Sequence, residues 1–282
     1  MDIDHLKTWE GRQEVVSDRL RLETAEALAA TLDLDDISFA AGDPLPLSWQ
    51  WLYFNPVARA RDLDRDGHPK MGDFLPPVSL PRRMWAAGSM EVNRPLQMDI
   101  PAEKRSTIES VEFKQGRSGP LVFVAVRHDY WQEGQCALKE VQNIVYRGEA
   151  MGADPTPLDP PAVRTSVWSK VLTPDAVQLF RYSAVTFNAH RIHHDQAYVV
   201  DVEGYPGLIV HGPLTATLLM QFVDEKIGAG KIRTFSFRAK RPLYVNRPLT
   251  LHGNPTGRRV DLWVTDEGGY IAMQAEVHLN EE

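Results

Sequence analysis

The sequence predicts an α+β fold made of two similar halves. Each half ends in the same pattern, in which alternating apolar residues indicate one strand and then three antiparallel strands separated by Gly-containing turns. The predicted strands are residues 88–98, 105–113, 121–130 and 137–146 in the first half, and 232–240, 249–253, 259–265 and 270–279 in the second. An Arg-Pro-Leu triplet, present at 94–96 and again at 241–243, also favours an internal repeat.

The boundary between the halves is predicted in a proline-rich stretch. A length of 282 residues allows one large domain or two ordinary ones, and an apolar fraction of 43% is typical of a globular protein. Residues 148–161 contain four prolines with glycine and aspartate, which is typical of an extended linker. We therefore predict an N-terminal domain over residues 1–150, a linker over 151–161 and a C-terminal domain over 162–282.

Composition limits the partners and the compartment. The net charge of −7 argues against general binding to nucleic acid or to an anionic membrane surface. No apolar run approaches membrane-spanning length, and the acidic N-terminal stretch resembles neither a secretory signal nor a transit peptide. The single cysteine, Cys136, excludes an intrachain disulfide and suits a reducing compartment. We expect a cytoplasmic protein.

The beginning of the chain is predicted to contain short elements. A weak alternation predicts a strand over residues 15–22. Thr24 is a suitable cap for a helix over 25–32, which is rich in alanine and leucine. Two aromatic-rich segments, residues 37–40 and 49–54, are predicted to be strands.

The first half is predicted to lack most of a central helix. Residues 62–69 (DLDRDGHP) form a polar loop, and residues 74–85 contain three prolines, which exclude a long regular helix. The first half also has thirteen fewer residues between 74 and 94 than the second has between 208 and 241. A sheet that has lost its covering helix leaves a groove, which we expect to admit a bulky substrate.

The second half has the clearest helix. Pro213 suits the first turn of a helix, and Leu214, Leu218, Leu219 and Phe222 follow at helical spacing. Such a helix is apolar nearly all round and should be buried. At its start, the unpaired N–H of Gly212 and the helix dipole could stabilise a carbonyl oxygen that becomes negative during a reaction. Without further signals, the same pattern describes an ordinary core helix.

A histidine cluster precedes this helix. His190, His193 and His194 lie beside Asn188 and Asp195, and a Gly-Tyr-Pro-Gly turn follows at 204–207. The run Thr-Phe-Asn-Ala-His-Arg-Ile-His over 186–193, with Gly-Tyr-Pro-Gly-Leu-Ile-Val-His-Gly-Pro-Leu over 204–214, resembles the MaoC-like hydratase and dehydratase family. It is most similar to the two-domain branch of mesaconyl-CoA and itaconyl-CoA hydratases and mitochondrial-type 3-hydroxyacyl-thioester dehydratases.

This resemblance implies a double hot-dog fold, in which two antiparallel sheets each wrap a central helix or its remnant. It places the catalytic histidine of the signature G-D-x-N-P-L-H at His193 and the helix-opening glycine at Gly212. The signature aspartate falls on Asn188, and its Asn-Pro pair falls on His190 and Arg191. Both are departures from the family pattern.

The residues support acid–base chemistry on an unsaturated thioester. Hydration needs a base for water, an acid for the α-carbon and a donor for the enolate oxygen. We expect His193 to transfer protons, since a histidine titrates near neutral pH, and Gly212 N–H to bind the oxygen. Asn188 cannot take a proton but can orient water. The alternative or supporting groups are His190, Asp195 and His211.

Other residues are candidates for binding the substrate. Arg82 and Arg83 would line the groove of the first half and suit an anionic acyl end or the CoA phosphates. The turn residues Tyr205, Pro206 and Gly207 are further candidates. We predict no metal site, because adjacent histidines point apart and neither an H-E-x-x-H motif nor a cysteine partner is present. No cofactor is expected, since CoA is part of the substrate.

The sequence thus predicts an enzyme, a hydro-lyase that acts on a CoA thioester. Mesaconyl-CoA or itaconyl-CoA, giving citramalyl-CoA, is the substrate that the resemblance implies. One alternative is the (3R)-hydroxyacyl-thioester dehydratase of fatty-acid synthesis. Another is a non-catalytic acyl-thioester-binding subunit. The expected partner is an acyl-CoA, with no nucleic acid or membrane, and a homodimer is the expected form if the chain assembles.

Overall fold

The computed structural model describes residues 1–35, 38–116, 119–148 and 164–281. The strands within these ranges are β1 (Gln13–Arg19), β2 (Arg82–Val92), β3 (Pro101–Gly116), β4 (Gly119–Gln132), β5 (Gln135–Arg147), β6 (Trp168–Leu172), β7 (Ile232–Ala239), β8 (Leu249–Thr256), β9 (Arg259–Thr265) and β10 (Ile271–Leu279). The α-helices are α1 (Ile3–Lys7), α2 (Leu22–Thr31), α3 (Ala176–Val185) and α4 (Gly212–Ile227). The linker predicted over 151–161 lies outside the described residues.

All the strands join one antiparallel sheet with the order β1-β3-β4-β5-β2-β7-β10-β9-β8-β6. Read inward from its outer edge, the first half has the order β1-β3-β4-β5-β2 and the second half has the order β6-β8-β9-β10-β7. In both halves the first strand along the chain is outermost and the second strand is at the centre of the sheet. The halves therefore repeat one topology and meet where β2 pairs with β7. This arrangement confirms the predicted α+β class.

The seam between the halves requires a residue without a side chain. Gly88 of β2 lies opposite Phe237 of β7. A Cβ atom at Gly88 would come within 2.8 Å of the Phe237 ring, which also packs edge-on against Trp85. Farther along the seam, Arg233 forms an ion pair of 2.9 Å with Glu91. Glycine at position 88 therefore permits close packing at the junction of the two halves.

The second half keeps its central helix and the first half does not. Helix α4 is buried along nearly its whole length, as its apolar sequence predicts. In the corresponding part of the first half, between α2 and β2, the residues that the structure describes form helical turns only at Trp49–Leu52 and Ala60–Asp62, and both are 3-10 turns. The absence of a helix within residues 74–85 is confirmed. The three prolines provide the physical reason, because each removes a backbone donor and obstructs the preceding turn.

The strand predicted over residues 49–54 is wrong. Its first four residues form a 3-10 turn, preceded by Ser48 in the left-handed backbone region with φ 78°. Trp49, Leu52 and Phe54 are buried in the core. Periodicity cannot distinguish a buried turn from a buried strand in so short an apolar run. Residues 38–40 form no regular structure, while position 37 is not described.

None of the helices within the described ranges is long and apolar enough to cross a membrane.

The seam offers a test of the fold. Gly88→Ala should lower the free energy of unfolding by about 1–3 kcal/mol, the usual cost of overpacking a well-packed site. Gly148→Ala is the control, because a Cβ atom there would meet no atom of the described residues within 4 Å. Denaturant unfolding of the two variants provides the measurement. Equal stabilities would show that the seam has room for a side chain.

Candidate active site

A cleft of about 540 Å³ lies between the two halves. From the first half it is lined by the loop that stands in place of a central helix, and from the second by the histidine stretch and the start of α4. The residues of this lining that concern the chemistry are Gly67, His68 and Arg83 on one side, and Asn188, His194 and Pro213 on the other.

Helix α4 begins at Gly212, as predicted, with His211 as its cap residue and Pro213 in its first turn. The N–H groups of the first turn of a helix have no partners within the helix. Since Pro213 lines the cleft, this helix end lies at the cleft wall. The Gly212 N–H is thus the candidate donor for an oxygen atom bound there.

Two histidine rings are stacked beside this helix end. His193 belongs to the 3-10 turn Arg191–His193 and is only 7% exposed. Its Nδ1 donates a hydrogen bond of 2.7 Å to the carbonyl oxygen of Ile209. Its ring stacks on that of His211, with centroids 3.7 Å apart, and His190 meets it edge-on at 5.4 Å.

Burial keeps the rings of this stack uncharged at neutral pH. Desolvation lowers the pKa of His193 to about 3, although the bond to Ile209 acts in the opposite direction. The pKa values of His190 and His211 are also lowered well below the usual range, mainly by burial and then by the neighbouring histidines. Because Nδ1 of His193 carries the hydrogen, its Nε2 has a free lone pair.

The first half contributes two residues that the sequence did not single out. Asp66 accepts hydrogen bonds from the backbone N–H of His68 at 2.9 Å and from its ring Nδ1 at 2.8 Å. The His68 ring lies against that of His190, with centroids 4.2 Å apart. The sequence pattern predicts only a polar loop over residues 62–69. The signal that could have identified it is a carboxylate and a histidine flanking a glycine.

These three residues also bear on the prediction of no metal. Donor atoms of Asp66, His68 and His190 all lie within 4.8 Å of one another. Among the described residues they are therefore the candidates for holding a metal ion. The adjacent pair His193 and His194, considered from the sequence, does not take part in this group.

The remaining predicted residues fall into different places. Asn188 lines the cleft, but its side-chain oxygen accepts the His190 N–H at 3.0 Å, so part of its role is in the turn. The Asp195 carboxylate accepts from Tyr198 N–H and pairs with Arg191 at 2.8 Å. Its charge is therefore already compensated away from the histidine stack.

Of the predicted binding residues, one lines the cleft and the others do not. Arg83 lines the cleft, whereas Arg82 is buried in an ion pair of 3.0 Å with Glu203. The Tyr205 hydroxyl accepts a hydrogen bond from Arg147. With Pro206 and Gly207, it lies outside the set of residues that line this cleft.

Comparison with known proteins identifies the family. Residues 48–245 match the model of the family described as hydroxyacyl-thioester dehydratase type 2. The chain belongs to this family. The matched range contains the loop of the first half, the histidine stretch and the start of α4, and therefore all the site residues described in this subsection.

Relatives and solved structures agree with this membership. The chain is 43% identical, over 96% of both chains, to a mesaconyl-C(4)-CoA hydratase of Chloroflexus aurantiacus. It is 26% identical to the mitochondrial hydroxyacyl-thioester dehydratase type 2 of Schizosaccharomyces pombe, over 77% of this chain and 79% of that one.

Two solved structures have a similar fold. One is a MaoC-like dehydratase, with 16% identity and a TM-score of 0.72 over 98% of this chain and 100% of that one. The other is a Mycobacterium tuberculosis protein described as a double hotdog, with 10% identity and a TM-score of 0.58 over 96% of both chains. The predicted double hot-dog fold is confirmed.

The buried histidines of this family member should affect its stability in acid. An unfolded histidine binds a proton near pH 6.5, whereas folded His193 does so at about pH 3, a difference that corresponds to ~5 kcal/mol. Between these values the unfolded state binds more protons, so the free energy of unfolding should decrease as pH falls. His193→Gln should reduce the slope of the free energy of unfolding against pH by up to the amount that one proton contributes. Denaturant unfolding between pH 4 and 6.5 measures this slope. An unchanged slope would contradict a neutral, buried His193.

Proposed function

We propose that this chain is a hydro-lyase that adds water reversibly to an α,β-unsaturated CoA thioester. We further propose mesaconyl-CoA or itaconyl-CoA as its substrate, giving citramalyl-CoA. The observation that supports this most is the 43% identity, nearly end to end, to a mesaconyl-C(4)-CoA hydratase. CoA is part of the substrate, so the reaction as proposed requires no separate cofactor.

The start of α4 is assigned to the thioester oxygen. When water adds to the β-carbon, negative charge develops on the carbonyl oxygen. The Gly212 N–H lies at the positive end of a buried helix, where a fixed donor stabilises such charge better than water does. Because the residue has no side chain, the oxygen can approach the backbone closely.

His193 is assigned to the attacking water. Its Nδ1 donates to Ile209, so its Nε2 can accept a hydrogen bond from water and orient the water oxygen toward the β-carbon. Asn188, which lines the cleft, can donate through its amide nitrogen to the same water. His193 itself is 7% exposed and lies outside the set of residues that line the cleft. His190 and His211 support the ring of His193 from two sides.

Arg83 is assigned to the negatively charged end of the acyl group. A dicarboxylic acyl chain carries one free carboxylate, and a guanidinium binds a carboxylate through two parallel hydrogen bonds. Arg83 lines the cleft with the uncharged rings of Trp51 and Trp85 nearby. These features favour a short, anionic acyl group over a long fatty chain.

The function can be tested with a panel of CoA thioesters. We expect mesaconyl-CoA or itaconyl-CoA to lose the absorbance of its conjugated double bond faster than crotonyl-CoA or a long 2-enoyl-CoA. A preference for long chains would favour the alternative, a (3R)-hydroxyacyl-thioester dehydratase, which the similarity to the yeast enzyme supports more distantly. Binding without turnover of any thioester would support the non-catalytic alternative.

Two substitutions test the roles at the water. His193→Ala should lower kcat by ~10²-fold or more with little change in KM, because the attacking water loses the ring that holds it in position. Asn188→Ala should cost less, because the water keeps its hydrogen bond to His193. Steady-state kinetics on the best substrate of the panel provides the measurement. Near-full turnover in His193→Ala, combined with its loss in Asn188→Ala, would show that these assignments are wrong.

A further inference from the structure

The second half lacks a carboxylate at its proton-transfer site. The signature aspartate is replaced by Asn188, and Asp195 is committed to Arg191 and the Tyr198 N–H. The rings of His193 and His211 are deeply buried and resist protonation. A proton that leaves water during hydration therefore needs a negative charge from elsewhere in the fold.

The loop of the first half is fastened to the histidine stretch at its backbone. The Arg191 N–H donates to the carbonyl oxygen of Asp66 at 2.9 Å, and the Arg191 guanidinium donates to that of Arg65 at 3.1 Å. Gly67 has φ +93°, and a Cβ atom there would overlap the carbonyl group of Ala189. The loop can therefore lie this close to Ala189 only with glycine at position 67.

This contact brings a carboxylate–histidine pair to the cleft. Asp66 holds Nδ1 of His68, so the hydrogen of a neutral His68 lies on Nδ1 and the lone pair on Nε2. Burial, and then Arg83, lower the pKa of His68, while Asp66 raises it. His68 is therefore neutral at rest, with the lone pair of Nε2 available. Unlike His193 and His211, it is hydrogen-bonded to a carboxylate, Asp66, which can stabilise the cation that forms. The titratable and charged groups that face His68 are Asp64, Asp66, Arg83, His190 and His193.

We propose that His68 and Asp66, contributed by the first half, complete the active site by carrying the proton that hydration releases from water. His68 is the catalytic residue and Asp66 is the positioning residue. The inference rests on the proposed hydratase function and deepens it.

The proposed step is balanced in atoms and electrons. The water oxygen, oriented by His193, bonds to the β-carbon while one of its O–H bonds breaks and that proton passes to Nε2 of His68. The electron pair of the double bond moves to the enolate, whose oxygen is held by Gly212 N–H. The His68 imidazolium then gives its proton to the α-carbon, and the ring returns to its neutral form.

The hydrogen bonds favour a proton carrier over a metal centre. The two carboxylate oxygens of Asp66 are both engaged by His68, one by its N–H and one by its ring. A metal bound among Asp66, His68 and His190 would compete for the second of these oxygens. Metal dependence is therefore included in the test as an outcome that would contradict the proposal.

The experiment compares His68→Gln and Asp66→Asn with a matched pair elsewhere. The full chain is assayed across pH on the best substrate of the panel. We expect His68→Gln to lower kcat by ~10²–10⁴ with little change in KM. Asp66→Asn should cost less, but it should move the acidic limb of kcat/KM to lower pH, because the carboxylate raises the pKa of His68. A purely structural role for Asp66 predicts no such movement.

The control is the exposed pair Glu276 and His278 on β10, whose side chains lie 2.6 Å apart. Glu276→Gln and His278→Gln should leave the kinetics unchanged. Thermal unfolding of every variant identifies those that have lost their fold. If His68→Gln or Asp66→Asn does not fold, Gly67→Ala tests the same loop in its place. It should reduce kcat/KM by at least ~10-fold, whereas Gly72→Ala, which shares a positive φ but has space at 3.7 Å, should not.

Three results would overturn the proposal. Full turnover in folded His68→Gln would exclude this residue as the proton carrier. An unmoved acidic limb in Asp66→Asn would exclude the carboxylate. Loss of wild-type activity with a chelator, and its recovery with a divalent cation, would make the cluster a metal centre. A wild-type chain that hydrates no thioester would instead contradict the proposed function, which separates the two failures.

Discussion

The pairing of β2 with β7 is the interaction on which the rest of this structure depends. It joins two five-stranded halves into one sheet and fixes the register between them, with Gly88 opposite Phe237. The beginning of β2 is thereby placed against the second half, and the carbonyl oxygen of Trp85 lies 3.8 Å from the position that a Cβ atom of Gly212 would occupy. The helix end, the histidine stack and the loop of the first half meet because of this register.

The missing helix of the first half has a structural consequence as well as a functional one. Without it, polar side chains of that half reach the cleft and must be satisfied there. Glu140 is buried and accepts hydrogen bonds from Trp51 at 2.9 Å, Tyr130 at 2.8 Å and Gln142 at 2.8 Å. A buried carboxylate with several donors is tolerated, whereas an unpaired one would be costly. Three donors to this carboxylate, Trp51, Tyr130 and Gln142, line the cleft, so Glu140 holds part of the cleft wall from behind.

Local features of the sequence were sufficient to predict a large part of the architecture. Gly212-Pro213 followed by an apolar run specifies where a buried helix begins, and the prolines between residues 74 and 85 exclude a helix there. Each of these predictions depends only on residues that are close together in the sequence. The same holds for the strands predicted in the two meanders, whose alternation reflects one buried face. The exception is the first of them, predicted over 88–98, because β2 ends at Val92.

The site was harder to predict because its parts come from distant segments. His193 and Gly212 could be selected by a motif, but no local pattern indicates that His68 would lie against His190. The sheet register, the contact at Gly67 and the hydrogen bonds from Arg191 to the loop bring these rings together. The strand prediction over 49–54 was wrong for a related reason. The aromatic residues of this segment are buried from a turn, and their burial follows from tertiary packing rather than from periodicity.

The close contact at Gly67 has a consequence for the ancestry of the chain. In a symmetric dimer of identical subunits, any change at one copy of a site also occurs at the other. A fused tandem pair is free of this constraint, so one copy can discard its helix while the other retains it. Because the loop of one half packs on the histidine stretch of the other, neither half by itself contains all the groups that meet at Gly67. The covalent tether also fixes their ratio at one to one and keeps the local concentration of each half high around the other.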